Sequence, residues 1–345
     1  MRIEPKEWQT LYLRGEYALL SERLLLVLDY FANQTYLAID PGLQYAVDLF
    51  VKHFLYLFTQ PDYILADEVL SRFIRHNLTI SNLVAISHFR TTDGHLELLR
   101  LQPNNFVKFL TLCSARNSVE PDYQALFDLS PPLASLWYSC YCEIYRSGLV
   151  EARVGENLRR HLAFEDERLT DFYALSDLYF GATYIDPDLD AGLKRRLNRA
   201  VQQGPLGRGA GIVNTPDPRK IAVVTALWFE RHSVWRTLAS YIEALQGDYE
   251  LTLVHLGALH DTVDIGPFRR IRHVGVEGGA LNIESIRRND FMVVFYPDIG
   301  MSPESILLAN LRLAPIQICG TGHPVSTWGS AIDYFLSGKD VEIAE

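Results

Sequence analysis

Over residues 1 to about 203 apolar positions recur at helical spacing in one stretch after another, with no convincing alternating strand. The clearest stripe is Leu133, Leu136, Trp137, Cys140, Ile144 and Tyr145, opened by Ser130-Pro131-Pro132 and closed by Gly148. Asp40-Pro41 precedes Val47, Phe50, Val51, Phe54 and Phe58, and Asp186-Pro187 precedes Leu189, Leu193, Leu197 and Ala200. In each, an acceptor side chain stands before a proline whose fixed φ suits the first helical position. From Lys220 the pattern changes. Lys220 to Ala226 is a short, nearly continuous apolar run rich in β-branched residues, which predicts a strand buried on both faces of a parallel sheet. After the connector Leu227 to Arg231 come His232-Ser233, and then Val234, Leu238, Tyr241, Ile242 and Leu245 at helical spacing until Gly247. Ser233 is the expected N-cap of that helix.

Further strands are predicted at Tyr249 to Leu256, Ile271 to Val276, Phe291 to Tyr296, Ile316 to Cys319 and Ala331 to Leu336. A helix opened by Ser302 and Pro303 lies between the strand ending at Tyr296 and the one starting at Ile316. Strands alternating with helices imply a parallel sheet with right-handed crossovers. The expected organisation is therefore α followed by α/β: an all-helical domain over 1–203, a linker over 204–219 and a Rossmann-like lobe over 220–345. The linker reading rests on four glycines in eight residues, 204 to 211, followed by Asn214-Thr215-Pro216-Asp217-Pro218. Trp8, Leu11, Gly15 and Tyr17 resemble the opening of a tetratricopeptide unit, but no second copy follows one period later, so the helical domain reads as non-repetitive.

The 345 residues suffice for two cores, and a net charge of −10 argues against nucleic acid as the main partner while leaving room for a local basic patch. Cys113, Cys140, Cys142 and Cys319 have neither a disulfide-framework nor a zinc spacing and read as buried thiols. The first seven residues lack signal-peptide character, and Leu24 to Leu28, the longest aliphatic run, is too short to span a bilayer; a cytoplasmic location is expected.

Three loops fall at strand carboxyl ends, where open α/β sheets bind ligands: Leu227 to Ser233, Pro297 to Gly300, and Gly320-Thr321-Gly322-His323-Pro324. In the third, glycines allow backbone amides to approach a ligand and His323 could bind or transfer a proton; equally, the histidine could pack on Pro324 in a tight turn. His232 could act as a base, orient an acceptor, or satisfy the end of its own helix. Asp298 stands where many α/β enzymes place a catalytic carboxylate, or caps the turn at Gly300. Other patterns fail. Gly207-x-Gly209-x-Gly211 has no preceding strand and so is not a dinucleotide fingerprint. Asp186, Asp188 and Asp190 imitate a calcium loop, but Ala191 and Leu197 stand at the required glycine and glutamate positions. His255, His260 and His273 have no zinc spacing.

Arg312, Ala314-Pro315-Ile316-Gln317, the glycine-rich turn and Asp333-Tyr334 resemble the signature of the glycosyltransferase family that contains the O-linked N-acetylglucosamine transferases and the bacterial cytoplasmic N-glucosyltransferases that modify adhesins. His323-Pro324 and Arg231-His232-Ser233-Val234-Trp235-Arg236-Thr237 are similar to the adhesin-modifying branch. The resemblance implies a two-lobed GT-B fold of which this chain carries the helical domain and first lobe, with the second lobe absent. It implies inverting, metal-independent transfer of a hexose, expected to be glucose, from a UDP-sugar to asparagine in Asn-x-Ser/Thr of an adhesin-like protein, with no cofactor. On this reading His232, His323 and Asp298 are the catalytic candidates, and Ser233, Arg236, Gly320, Thr321 and Gly322 the substrate-binding ones. Because the donor pocket would lie mostly in the missing lobe, the chain alone is expected to be inactive, as part of a longer or two-chain enzyme. The alternative is a non-catalytic module that presents an acceptor protein to a separate donor-binding chain.

Overall fold

The computed structural model describes residues 3–34, 38–100, 102, 105–142, 152–169, 175–208, 211–257, 262–277, 280–320 and 326–338. The chain divides into two compact units, Met1–Ala174 and Leu175–Glu345.

The described part of the first unit is helical: α1 Pro5–Leu13, α2 Tyr17–Ala32, α3 Pro41–Phe58, α4 Asp67–Arg75, α5 Asn77–Ile86, α6 Asp93–Arg100, α7 Phe106–Leu112, α8 Tyr123–Leu129, α9 Pro131–Tyr141 and α10 Ala152–Ala163. The Asp40-Pro41 signal works as its chemistry requires, since the Asp40 carboxylate accepts the Leu43 N–H at 2.8 Å and opens α3. The stripe that follows stacks Phe50 on Phe54 and Phe54 on Phe58, with centroids 5.4 and 4.8 Å apart, and all three rings are buried. Each such ring contributes roughly 2–3 kcal/mol through burial alone. A second aromatic nest encloses His161, whose ring stacks between Tyr138 and Tyr141 at 3.8 and 4.2 Å. Burial lowers its pKa to about 3, so the imidazole is neutral. α9 ends at Tyr141, and Ile144, Tyr145 and Gly148 of the predicted stripe lie outside the described residues.

The second unit begins with helices, α11 Leu175–Ala182, α12 Pro187–Gln203 and α13 Pro205–Arg208. It continues as β1 Asp217–Thr225, α14 Ser233–Leu245, β2 Glu250–Leu256, β3 Arg270–Glu277, β4 Ala280–Asn282, α15 Glu284–Arg287, β5 Phe291–Tyr296, α16 Pro303–Ala309, β6 Ile316–Cys319 and β7 Tyr334–Phe335. The sheet order is β4-β3-β2-β1-β5-β6-β7. Among the described strands all pairings within the sheet are parallel except β3 with β4, which are separated by only two residues, too few for a crossover. The sheet is thus mostly rather than wholly parallel. The order in which strands are added reverses between β1 and β5, the topological switch point at which such sheets hold ligands.

Three expectations are corrected. The compact units part at residues 174 and 175, so the boundary expected at 203 falls within the second unit. The cause is a set of side chains on α11 and α12 that bond to the far end of the lobe. Asn198 Nδ2 donates to the Thr327 and Trp328 carbonyls at 2.6 and 3.0 Å, and Asn310 Nδ2 donates to Asn198 Oδ1 at 2.8 Å. Tyr179 donates to the same Thr327 carbonyl at 3.1 Å. The stretch 204–219 is not an open linker: it holds α13 and the first residues of β1. A Cβ on Gly207 would stand 2.2 Å from the Gln202 carbonyl oxygen, so this glycine serves a close backbone approach. The last strand shortens to Tyr334–Phe335.

Candidate active site

β1 ends at Thr225, and its hydroxyl is the hinge of the switch point. Thr225 Oγ1 donates to Asp298 Oδ1 at 2.6 Å and accepts the Leu227 N–H at 2.9 Å. One hydroxyl therefore fastens the loop after β1 to the loop after β5. Asp298 is fully buried, and its Oδ2 has no hydrogen-bond partner among the described residues. Burial raises its pKa to about 7, against the smaller opposing effect of the Thr225 hydrogen bond. Apolar surroundings push the neighbouring Cys319 thiol up to about 12, and it is inert at neutral pH.

Gly320 follows β6 on the same rim. Its N–H donates to the Tyr296 carbonyl at 2.7 Å, and an added Cβ would meet Phe295 Cζ at 3.0 Å and the Pro297 carbonyl at 3.2 Å. The absence of a side chain is what lets the loop after β6 lie against the end of β5. Thr321, Gly322 and His323 lie outside the described residues.

The N-cap of α14 is His232, not Ser233. His232 is extended at φ −85° and ψ 143°, and its Nδ1 accepts the Val234 N–H at 3.2 Å. Ser233 becomes the exposed first residue of the helix. The sequence signal failed because serine is the commoner cap, whereas the chain turns one residue earlier. An Nδ1 that accepts from an amide carries no proton, so in the neutral ring the proton sits on Nε2. Partial burial, and then the Arg236 charge, lower the His232 pKa and keep the ring neutral. The group presented by His232 is therefore an Nε2–H donor beside a helix start whose first amides lack intrahelical partners. Arg236 is exposed, one turn along α14, and makes no ion pair among the described residues.

Besides Thr225, two residues outside the expected set hold this loop. Trp228 is fully buried, and its carbonyl accepts the Asp264 N–H at 3.1 Å. The Asp264 carboxylate in turn accepts the Trp235 indole N–H at 2.9 Å, tying α14 to the segment before β3. Thr225 and Asp264 gave no motif. The only available signal was a hydroxyl closing an otherwise apolar strand.

The signature run has a structural explanation. Gln317 is fully buried: its side-chain oxygen accepts the Leu313 N–H at 2.7 Å, and its amide donates to the Ala331 carbonyl at 2.8 Å. Asp333 Oδ2 accepts from both the Gln317 N–H at 2.8 Å and Arg312 Nη1 at 2.7 Å, and that guanidinium holds its carboxyl below the usual range. These residues splice β6 to β7 and so fix where the loop bearing Gly320 leaves the sheet.

This chain is 24% identical over 316 residues to the UDP-glucose:protein N-β-glucosyltransferase of Actinobacillus pleuropneumoniae serotype 5b (strain L20), across 82% of this chain and 51% of that protein. The chain is similar to a protein N-glucosyltransferase. The enzyme of the same name from serotype 7 (strain AP76) matches with the same identity and coverage. No protein-family model matches. Among solved structures, a mutant of the Thermobaculum terrenum O-GlcNAc transferase aligns with 91% of this chain and 54% of its own, at 17% identity and a TM-score of 0.45. The chain spans about half the length of the curated relatives it matches.

Proposed function

We propose that this chain carries the first Rossmann-like lobe and an associated helical unit of a protein glycosyltransferase that moves a hexose, glucose in the first instance, from a UDP-sugar to asparagine in Asn-x-Ser/Thr. The observation that carries the reading is the β1/β5 switch point, where the Thr225–Asp298 pair, the amino end of α14 and Gly320 meet one carboxyl rim in a chain related to UDP-glucose-dependent transferases. The proposed acceptor is an adhesin-like protein, and no cofactor or metal enters the scheme. The non-catalytic presenting module is not favoured, because the matched relatives are transferases.

Inverting transfer requires the acceptor amide to attack the anomeric carbon from the face opposite the departing UDP, whose developing negative charge must meet donors fixed in advance. In this scheme His232 orients an acceptor or donor oxygen through Nε2–H, and the free amides of the α14 start and Arg236 add positive potential. Asp298, fully buried, works as a positioning residue that sets the β1 loop through Thr225. Thr321, Gly322 and His323 complete the proposed acceptor side. In this scheme these groups serve the acceptor side, and the UDP-sugar is held chiefly by other groups of the enzyme. The four described thiols are all buried and unbridged, which supports a reducing, cytoplasmic setting; among the described helices none is long and apolar enough to cross a membrane.

The test is calorimetric titration of UDP and UDP-glucose, then of an Asn-x-Ser/Thr peptide, into the 345-residue chain. Peptide binding with little UDP binding is the expected result. Absence of peptide binding, or tight UDP binding with hydrolysis but no transfer to peptide, would refute the assignment of this lobe to the acceptor side.

A further inference from the structure

The opposite, amino-terminal rim of the sheet carries a feature that transfer chemistry does not use. The starts of β1, β2, β3 and β5 and the helix α15 enclose a cavity of about 90 Å³. Its cationic lining is Lys220, Arg269, Arg270, Arg272 and Arg288. Two of these are neutralised locally: Lys220 donates to Asp290, and Arg269 pairs with Glu250 at 3.2 Å. Arg270, Arg272 and Arg288 make no ion pair among the described residues, and all three are exposed.

The placement follows from the register. Arg270 pairs with Thr252 and Arg272 with Val254, so the two guanidiniums leave β3 on one face of the strand, while Arg288 comes from the end of α15. Lys220 pairs with Glu250 across β1 and β2, so the neutralised couples flank the cluster. Three unneutralised guanidiniums round one small cavity repel one another, and in a chain of net charge −10 this is a local inversion of sign. An anion with several acceptor oxygens relieves that repulsion, and guanidinium forks match tetrahedral oxyanions bidentately. A cavity of about 90 Å³ has room for an ion of phosphate size.

We propose that Arg270, Arg272 and Arg288 form a binding site for a phosphate-class oxyanion, at the end of the lobe opposite the transfer site. The ligand is either free inorganic phosphate or the phosphoryl group of a small phosphomonoester, and the site is independent of UDP. Asn289 and Ser285 line the same cavity, and the Ser285 hydroxyl already donates to the His273 carbonyl at 2.7 Å, which leaves the arginines as the source of affinity.

The experiment is calorimetric titration of the full chain at low salt with inorganic phosphate and, in a parallel arm, glycerol phosphate. Both are repeated on Arg270→Gln/Arg288→Gln and on Arg272→Gln, with folding monitored by circular dichroism. Expected is saturable 1:1 binding that weakens by about tenfold or more for each arginine removed and falls as salt rises. Tighter phosphate than glycerol phosphate identifies the free ion as the ligand, and the reverse order identifies the ester. His232→Ala should leave this binding unchanged. Absence of saturable binding in both arms, or binding that survives in the folded double variant, overturns the proposal.

Discussion

Asp298→Asn tests the switch point most directly. The folded carboxyl has a pKa of about 7 against an ordinary value of 3.8, raised by burial. A carboxyl whose folded pKa is raised favours the native state while protonated, so its full contribution is present below about pH 3.8. That contribution is lost as pH rises towards and through about 7. The difference of roughly 3 pH units corresponds to about 4 kcal/mol across that window, since one unit is about 1.4 kcal/mol. Asparagine keeps an oxygen to accept the Thr225 hydroxyl and cannot ionise. Its amide nitrogen replaces an oxygen that already has no partner among the described residues, so this change adds little new desolvation cost. The variant is therefore expected to gain on the wild type progressively from pH 4 to pH 8, by up to about 4 kcal/mol. Urea unfolding of both proteins across that range gives the difference, and every titration the two share cancels. A difference that stays flat with pH would refute the buried, raised carboxyl. If Asp298 positions the loop without touching substrate, peptide affinity in the variant should change only a few-fold; loss of all binding would return it to the reacting groups.

Three further outcomes follow from single contacts. His232→Ala removes the α14 cap and is expected to cost about 1 kcal/mol of stability, whereas His232→Asn restores an accepting oxygen and most of that loss; both should impair transfer in the complete enzyme, and a normally active His232→Asn would show that only the cap matters. Lys194 is buried against Asp190 at 2.8 Å, so Lys194→Met leaves a buried carboxylate unpaired and should cost roughly 3–5 kcal/mol in urea unfolding. Asp190→Leu combined with Lys194→Met should recover much of that loss, and a double variant as unstable as the single one would contradict it. Gly320→Ala forces a methyl group to 3.0 Å from Phe295 and is expected to cost roughly 1–3 kcal/mol, read as a lowered thermal midpoint.

The sequence by itself determined what depends on neighbours in the chain. Helix starts at Asp40, Asp186 and Ser302 were legible because the cap side chain accepts a backbone amide only two or three positions along the chain, and the structure shows all three accepting amides. The central strands were legible because burial on both faces demands apolar runs at β1, β2 and β5. Tertiary structure alone decided where the units divide, because Asn198 and Thr327 lie far apart along the chain and no local pattern announces their bond. It also decided that His232 rather than Ser233 caps α14, since both residues can accept an amide and only the path out of β1 selects one. Asp298 was visible as a carboxylate after a strand, but its raised pKa arises from groups of other strands closing over it. Charge in a sequence is a sum, whereas the three arginines at the amino-terminal rim become a site only when β3 and α15 fold to the same cavity.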